Sequence, residues 1–300
     1  MKKNNYNNIY IVLLLTLLVL CLLNSSFVVS NVLKYTDLFI KKLFPASFIF
    51  FTLSSLCLDY KLPEKISSLF NINGYVFYVV IMSMISGFPS GSKYIRDLYD
   101  RKLISNKLAN YLITFTHFPN PIFILGPVSS LFMNNSYSIY ILVSLIVSNL
   151  IIGLFLRPKN INIITTYSKS SNRNYFSTYL TKAIYSSIEV IILIYGSSIF
   201  FYLIGALVCK YISFNTYFFI LINGFFDLTK GIFLTSILPT DLYRAIFILL
   251  FISFGGISVN IQIKSIISDT QIKYSNFLLG RIFQFIISLI LFFLWCFWSN

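Results

Sequence analysis

Small polar and ionisable residues stand at two places where long apolar runs are interrupted. The run Gly87-Phe-Pro-Ser-Gly-Ser92 precedes the single histidine, His117, and in the second half Asp227 and Lys230 precede a Gly255-Gly256 pair. Ionisable groups inside apolar segments are costly and normally face a partner or a pathway. Hydroxyl, amide and charged groups at these places predict the binding of a small polar solute. The predicted substrate-binding residues are Gly87, Ser90, Gly91, Ser92, His117, Asn120, Asp227, Thr229, Lys230, Ser253, Gly255, Gly256, Ser258 and Asn260.

Each of these residues also has a structural explanation. Ser90 and Ser92 suit either a bound solute or the cap of a returning helix. Asp227 and Lys230 are three positions apart, and they suit either a ligand or coupling ion, or an internal ion pair in which each neutralises the other. His117 suits either a proton relay or a hydrogen bond to the carbonyls freed by the nearby prolines.

The polar residues around the glycine pair have two explanations as well. Ser253, Ser258 and Asn260 carry small or amide side chains that suit the edges of a sugar or a base. The same side chains also suit hydrogen bonds that join helices inside a membrane. The pattern alone leaves both explanations open.

No motif predicts an enzyme. The glycine-rich run from Gly87 to Lys93 has the wrong order and spacing for a phosphate-binding loop. The short Gly256-Ile-Ser-Val259 run is similar to that of intramembrane serine proteases, but the one candidate base, His117, lies far upstream. We therefore expect neither catalysis nor a cofactor.

The composition fixes the class of protein. Of 300 residues, 57% are hydrophobic and 11% are charged, whereas soluble domains carry about 25% charged residues. The net charge of +14 would suggest nucleic acid in a soluble chain, but here the basic residues lie in short loops between apolar runs, beside acidic lipids. The cysteines stand singly inside apolar runs, which predicts neither disulfides nor a metal site. We expect an all-α polytopic membrane protein whose partners are lipids and not nucleic acid.

Two further features predict the topology. Two charge-poor stretches are too short for a pair of crossings, so they predict re-entrant hairpins with tips at Gly87–Gly91 and Asp227–Gly231. A broken helix follows each hairpin, at Pro119-Asn-Pro121 and at Gly255-Gly256. Paired interruptions in two halves are typical of transporters built as inverted repeats. We expect about six full crossings and two hairpins.

The charge distribution orients this topology. It places the amino terminus in the cytoplasm, with Arg281 among the inner basic residues and Lys230 alone at membrane depth. The first apolar run suits either a secretory signal peptide or an uncleaved span, and the lack of a small-x-small cleavage site after it favours the span. We expect 34–42 to be a short polar connection. The predicted divisions are two N-terminal helices in 1–60, a first repeat in 61–156, a basic cytoplasmic loop in 157–182 and a second repeat in 183–300.

Four motifs together resemble the YlbJ family of sporulation integral membrane proteins, within the nucleoside-recognition or Gate-domain group. They are Ser86-Gly-Phe-Pro-Ser-Gly-Ser-Lys93, Pro121-Ile-Phe-Ile-Leu-Gly126, Asp227-Leu-Thr-Lys-Gly231 and Ile252-Ser-Phe-Gly-Gly-Ile-Ser-Val-Asn-Ile-Gln262. The resemblance runs from about Phe44 to the end of the chain.

The resemblance implies a transporter-like protein of the cell membrane that acts in spore formation, in the envelope or the cortex. The solute it implies is small, polar and nucleoside-like, and the protein partners it implies are other sporulation membrane proteins. The alternative is a non-transporting membrane scaffold for assembly of the spore envelope.

Overall fold

The computed structural model describes residues 2–70, 73–159 and 175–298. Within these ranges the chain is helical and contains no strand. The α-helices are α1 (Lys2–Leu23), α2 (Ser25–Leu38), α3 (Phe44–Asp59), α4 (Leu62–Phe70), α5 (Gly74–Ser86), α6 (Ser90–Asp100), α7 (Asn106–Phe115), α8 (Pro121–Phe123), α9 (Ser136–Phe155), α10 (Phe176–Tyr211), α11 (Thr216–Phe226), α12 (Leu228–Leu234), α13 (Asp241–Phe254), α14 (Gly256–Ile266) and α15 (Tyr274–Trp298). Shorter turns are the π-helices Phe39–Leu43 and Ile124–Val128 and the 3-10 helices Ser129–Leu131 and Thr235–Ile237.

Several of these helices have the length and apolar character of membrane spans. Four such segments in the described ranges are Ser136–Phe155, Phe176–Tyr211, Asp241–Ile266 and Tyr274–Trp298. Two bent pairs, Asn8–Leu23 with Ser25–Lys41 at 95° and Leu62–Phe70 with Gly74–Ser86 at 118°, raise the number to six if each pair is one span. The prediction of an all-α, multi-pass membrane protein is confirmed. The inverted orientation of the two halves and the domain divisions stay predictions.

The N-terminal region differs from the expectation in one respect. The polar connection predicted for 34–42 is wrong, because α2 continues through the π-helix Phe39–Leu43 directly into α3. Asp37 and Lys41 form an ion pair of 2.6 Å on the exposed side of this helix. Charges spaced four positions apart support a helix as readily as they mark a loop. The chain bends instead at Asn24, between α1 and α2.

The first hairpin is formed by α5 and α6. The chain turns at Gly87, whose φ of 77° is readily adopted by glycine alone. A Cβ there would lie 2.6 Å from the backbone nitrogen of Asn120, so the turn also needs a residue without a side chain. The helices run back along each other, with the rings of Tyr78 and Tyr94 5.9 Å apart. The unwound tip is shorter than predicted, because α6 already begins at Ser90.

The second hairpin is formed by α11 and α12, which turn at Asp227. Its helices cross at two glycines, since a Cβ on Gly231 would lie 2.3 Å from the Cα of Gly224. The predicted tip from Asp227 to Gly231 is wrong in extent, because Leu228 to Gly231 are helical. The close glycine crossing explains why the turn needs so few residues.

Both predicted helix breaks are present. Helix α7 ends at Phe115 and the chain becomes helical again at Pro121. Helices α13 and α14 are separated by Gly255 in a left-handed conformation with a φ of 75°. Helix α15 packs against α7, α9 and α13, and α10 packs against α3, α11 and α14. Of the basic loop predicted for 157–182, residues 160–174 lie outside the described residues.

We expect Ser105 and Asn135 to lie on opposite sides of the membrane, because α7 and the segment after its break together cross it in the predicted topology. Ser105→Cys and Asn135→Cys, each in a chain lacking its native cysteines, should react from opposite sides with an impermeant maleimide. Asn135→Cys should react in intact cells, and Ser105→Cys only after permeabilisation. Labelling of both cysteines from one side would exclude the inverted repeat.

Candidate functional site

Ser90 and Ser92 of the first hairpin both form hydrogen bonds with backbone carbonyls. The Ser90 hydroxyl donates to the Gly87 carbonyl, and the Ser92 hydroxyl donates to the Pro89 carbonyl at 2.6 Å. Both side chains are buried. The Gly87 and Pro89 carbonyls also accept from the backbone nitrogens of Ser90 and Ser92, and no side chain caps the start of α6. The two hydroxyls therefore form local hydrogen bonds within the turn, and no bound solute is needed to account for them.

Asn120 joins the first hairpin to the first broken helix. Its amide nitrogen donates to the Ser86 carbonyl at 3.2 Å. Its amide oxygen accepts from the backbone nitrogens of Ile122 at 2.8 Å and Phe123 at 3.3 Å. Asn120 therefore caps the helical segment after the break and fixes that segment against the turn of the hairpin.

His117 lies in an aromatic and fully enclosed setting. Its ring stacks on Phe88 with centroids 4.6 Å apart and meets the edge of Phe277 at 5.2 Å. The ring nitrogen Nε2 has no hydrogen-bond partner within the described residues. The His117 carbonyl, in contrast, accepts from Asn149 at 2.9 Å and from Arg281 at 3.3 Å. The predicted bond from the ring to freed carbonyls is not found, and it is the backbone of His117 that is anchored.

Arg281 is the main residue of this region that the predicted site did not include. It is fully buried in α15, and its predicted position on the inner side of the membrane stays a prediction. Its guanidinium donates to the Thr114 carbonyl at 3.0 Å, to the His117 carbonyl and to the Gln284 side chain. In the described part of the chain it has no carboxylate within 4.0 Å. Lys230 is therefore not alone among the basic residues inside the bundle.

The position of Arg281 follows from a close helix contact. A Cβ on the preceding Gly280 would lie 1.8 Å from the Thr114 carbonyl oxygen, so α15 touches the end of α7 at that glycine. The arginine then reaches the carbonyls that the break in α7 leaves free. A signal was present in the sequence, since Gly280, Arg281 and Gln284 stand together inside a run otherwise suited to a membrane span.

Asp227 organises the second hairpin. Its carboxylate accepts from the backbone nitrogen of Lys230 at 3.0 Å and from the Ser258 hydroxyl at 3.1 Å. Asp227 therefore caps α12 at its first turn and connects the tip to α14. Asp227 is 1% exposed, so it is buried inside the helical bundle.

The ion pair considered for Asp227 and Lys230 is wrong. Within the described residues the Lys230 ammonium forms no salt bridge and lies 4.5 Å from the centre of the Tyr202 ring on α10. A carboxylate that caps a helix faces its backbone nitrogens, while the side chain of the third residue points away from that cap. A cation over an aromatic face is a favourable alternative partner.

The polar residues around Gly255 mostly join helices. The Asn260 amide nitrogen donates to the carbonyls of Phe254 at 2.7 Å and Gly256 at 2.5 Å. Its oxygen accepts from the Tyr274 hydroxyl of α15 at 2.6 Å. Ser253 is buried and its hydroxyl has no partner within the described residues. Asn260 therefore bridges the second break, as Asn120 and Arg281 support the first.

A cavity of about 110 Å³ lies between the two hairpin tips. Of the predicted site residues, Asn120 and Thr229 line it, and it does not reach Ser90, His117 or Asp227. The complete lining is Leu43, Ser47, Ser86, Phe88, Asn120, Ile122, Phe123, Pro127, Leu228 and Thr229. The cavity thus lies between the turn of the first hairpin and the start of α12.

The cavity also borders both π-helices. Leu43 ends the π-helix Phe39–Leu43, and Pro127 lies inside the π-helix Ile124–Val128. Such turns appear frequently at functional sites. Ser47, one turn beyond the first π-helix, was missed by the sequence prediction because it stands in an apolar run with no break beside it. The described residues contain no group of histidine, cysteine and carboxylate side chains able to hold a metal ion.

The fold and this cavity define an all-helical, multi-pass membrane protein with two helical hairpins that meet inside the bundle. The chain is similar to the sporulation integral membrane protein YlbJ of Bacillus subtilis (strain 168), with 26% identity over 290 residues, 80% of this chain and 71% of that protein. This similarity supports the resemblance to the YlbJ family that the motifs indicated. No family model matches the chain, and no solved structure matches it.

We expect Arg281→Met to destabilise the folded protein by about 2 kcal/mol. Each carbonyl left without a donor costs about 1–3 kcal/mol, and removal of a buried cation offsets part of that loss. The measurement is the midpoint of thermal unfolding in detergent. Arg157→Met, at an exposed arginine after α9, is the control and should leave the midpoint unchanged.

An increase in stability for Arg281→Met would contradict this structural role. It would mean that burial of the unpaired guanidinium costs more free energy than its hydrogen bonds contribute.

We expect Asp227→Asn to change stability by less than about 1 kcal/mol, since asparagine is as good a helix cap as aspartate and no ion pair with Lys230 is lost. Asp227→Ala removes the cap and the acceptor for Ser258, and should cost about 2 kcal/mol. Thermal unfolding of both variants measures the difference. A large and equal loss in both would indicate that the negative charge itself holds the tip.

Proposed function

We propose that this chain is a transporter-like membrane protein of spore formation that binds a small polar solute in the cavity between the two hairpin tips. The observation that carries the proposal is that Asn120 of the first half and Thr229 of the second half line one cavity. Sites of transporters built from repeats lie where the discontinuous helices of the two halves meet. The role in spore formation is supported by the similarity to a sporulation integral membrane protein. The proposed function includes no catalytic step.

Two polar links between the two halves are formed by residues that do not line the cavity. Near the start of α13, Asp241 accepts from the backbone nitrogens of Met133 at 2.9 Å and Asn134 at 3.0 Å. Near the end of α14, Arg96 of α6 donates to the Ile266 carbonyl and lies 3.8 Å from the Asp269 carboxylate. In the proposed mechanism these two links open in turn, so that the solute reaches the cavity from one side at a time.

A scaffold function is the second candidate, and the aromatic lining supports it. Phe88 and Phe123 form part of the cavity wall, and the Phe123 ring meets the edge of the Phe233 ring with centroids 6.4 Å apart. Aromatic contacts of this kind hold the two halves together without a ligand. A scaffold would need the tips to pack but not to bind a solute.

We expect Thr229→Val to lower solute uptake and the yield of heat-resistant spores without loss of folding. Valine preserves the shape of threonine and removes the hydroxyl of a residue that lines the cavity. The measurements are uptake of labelled glycerol and uridine by proteoliposomes, and spore counts after the variant replaces the chromosomal copy. Thr178→Val, at an exposed position in α10, is the matched control.

The scaffold function is favoured if deletion of the gene blocks spore formation while Thr229→Val restores it fully. The role in spore formation is excluded if the deletion strain forms heat-resistant spores at the normal yield.

A further inference from the structure

We infer that the cavity between the hairpin tips selects a small uncharged solute bearing hydroxyl or amide groups, with Ser47 and Thr229 as its hydrogen-bonding residues. The inference rests on the proposed function, because it names the class of solute that the same cavity would take. It differs from the nucleoside-like solute that the motifs implied, and it adds Ser47, a residue outside both predicted repeats.

The charge of the lining is the first argument. None of the ten residues around the cavity carries an ionisable side chain. The nearest charged residues of the tips are turned elsewhere: Asp227 faces the start of α12 and Ser258, and Lys230 faces Tyr202. An ion entering this cavity would lose its water and gain no opposite charge, which is strongly unfavourable. An uncharged solute avoids that penalty.

The free hydrogen-bonding groups are the second argument. Ser47 on α3 and Thr229 on α12 line the cavity, and neither hydroxyl forms a hydrogen bond with another described residue. Each hydroxyl can both donate and accept. The Asn120 amide uses one N–H for the Ser86 carbonyl, and its second N–H remains available. Two hydroxyls that can each donate or accept, together with one N–H donor, match the hydroxyl or amide groups of a solute, because those groups also donate and accept.

Size is the third argument. The cavity of about 110 Å³ is well below the roughly 300–1,000 Å³ of sites for drug-sized ligands. Phe88 and Phe123 form flat apolar walls beside the polar groups, which suits the carbon skeleton of a short polyol or a small amide. A nucleoside would require the tips to separate.

The test uses thiol reagents of nearly equal size and different charge. Ser47→Cys and Thr229→Cys are placed separately in the full chain after replacement of Cys21, Cys57, Cys209 and Cys296, and the protein is reconstituted in vesicles. The probes are the neutral 2-hydroxyethyl, the anionic 2-carboxyethyl and the cationic 2-aminoethyl methanethiosulfonates, which differ by only a few atoms. Ser268→Cys, at an exposed turn between α14 and α15, is the control.

We expect both cavity cysteines to react with the neutral reagent at least about tenfold faster than with either charged reagent, since transfer of an ion into an apolar wall is unfavourable. Glycerol at high concentration should slow these reactions. The control cysteine should react with all three reagents at similar rates, and glycerol should not protect it. Each parent variant must first show the same thermal unfolding as the cysteine-free chain.

Two results would overturn the inference. One is equal reaction of the cavity cysteines with charged and neutral reagents, relative to Ser268→Cys. The other is absence of reaction with the neutral reagent, which would mean that no solute enters. A third result would separate the two proposals. If labelling is charge-selective and glycerol protects, but proteoliposomes take up no solute, the inference stands and transport is contradicted. Uptake of a charged solute that competes with labelling would support transport and contradict the inference.

Discussion

The structure depends on one constraint: a helix that is broken inside a membrane frees carbonyl and amide groups that lipid cannot satisfy. The break after α7 leaves the carbonyls of Thr114 and His117 without helical partners. Arg281 donates to both, and Asn149 donates to the second. A buried guanidinium without a carboxylate is unusual, but carbonyls at the end of a helix carry the partial negative charge that a cation prefers. The guanidinium of Arg281 on α15 therefore stabilises the first break by donating to its free carbonyls.

The second half solves the same problem with different groups. Asp227 supplies a carboxylate to the amide end of α12, and Asn260 supplies an amide to the carbonyls on both sides of Gly255. The two halves share breaks and hairpins but not the side chains that stabilise them. One consequence is that most polar side chains near the tips are already engaged by the backbone. A polar residue at membrane depth is therefore weak evidence for a ligand until its hydrogen bonds are known.

The sequence predicted the larger features because backbone geometry demands particular residues there. Gly87 and Gly255 adopt positive φ values of 77° and 75°, and such positions are visible as glycines in apolar runs. The roles of the polar residues were not predictable, because Ser90 and Asp227 serve either a cap or a ligand, and only their neighbours in space decide. Ser47 was missed for the related reason that a hydroxyl in an unbroken apolar run gives no signal. The burial of Arg281 was not predicted, because a charge near a span normally marks the membrane surface.

The size of the cavity follows from the same contacts that close the breaks. The Gly231 and Gly224 backbones touch within the second hairpin, and the Gly87 turn touches Asn120 at the first, so neither contact can open without separating backbone atoms. Side chains of the two tips then meet across a small space whose walls are set by Phe88 and Leu228. A larger space requires the halves to move as units, since packed helices are displaced together rather than deformed one residue at a time. Such a movement would have to open the polar links at Asp241 and at Arg96 and also the contact of Gly280 and Arg281 with the end of α7, because all of them join the two halves.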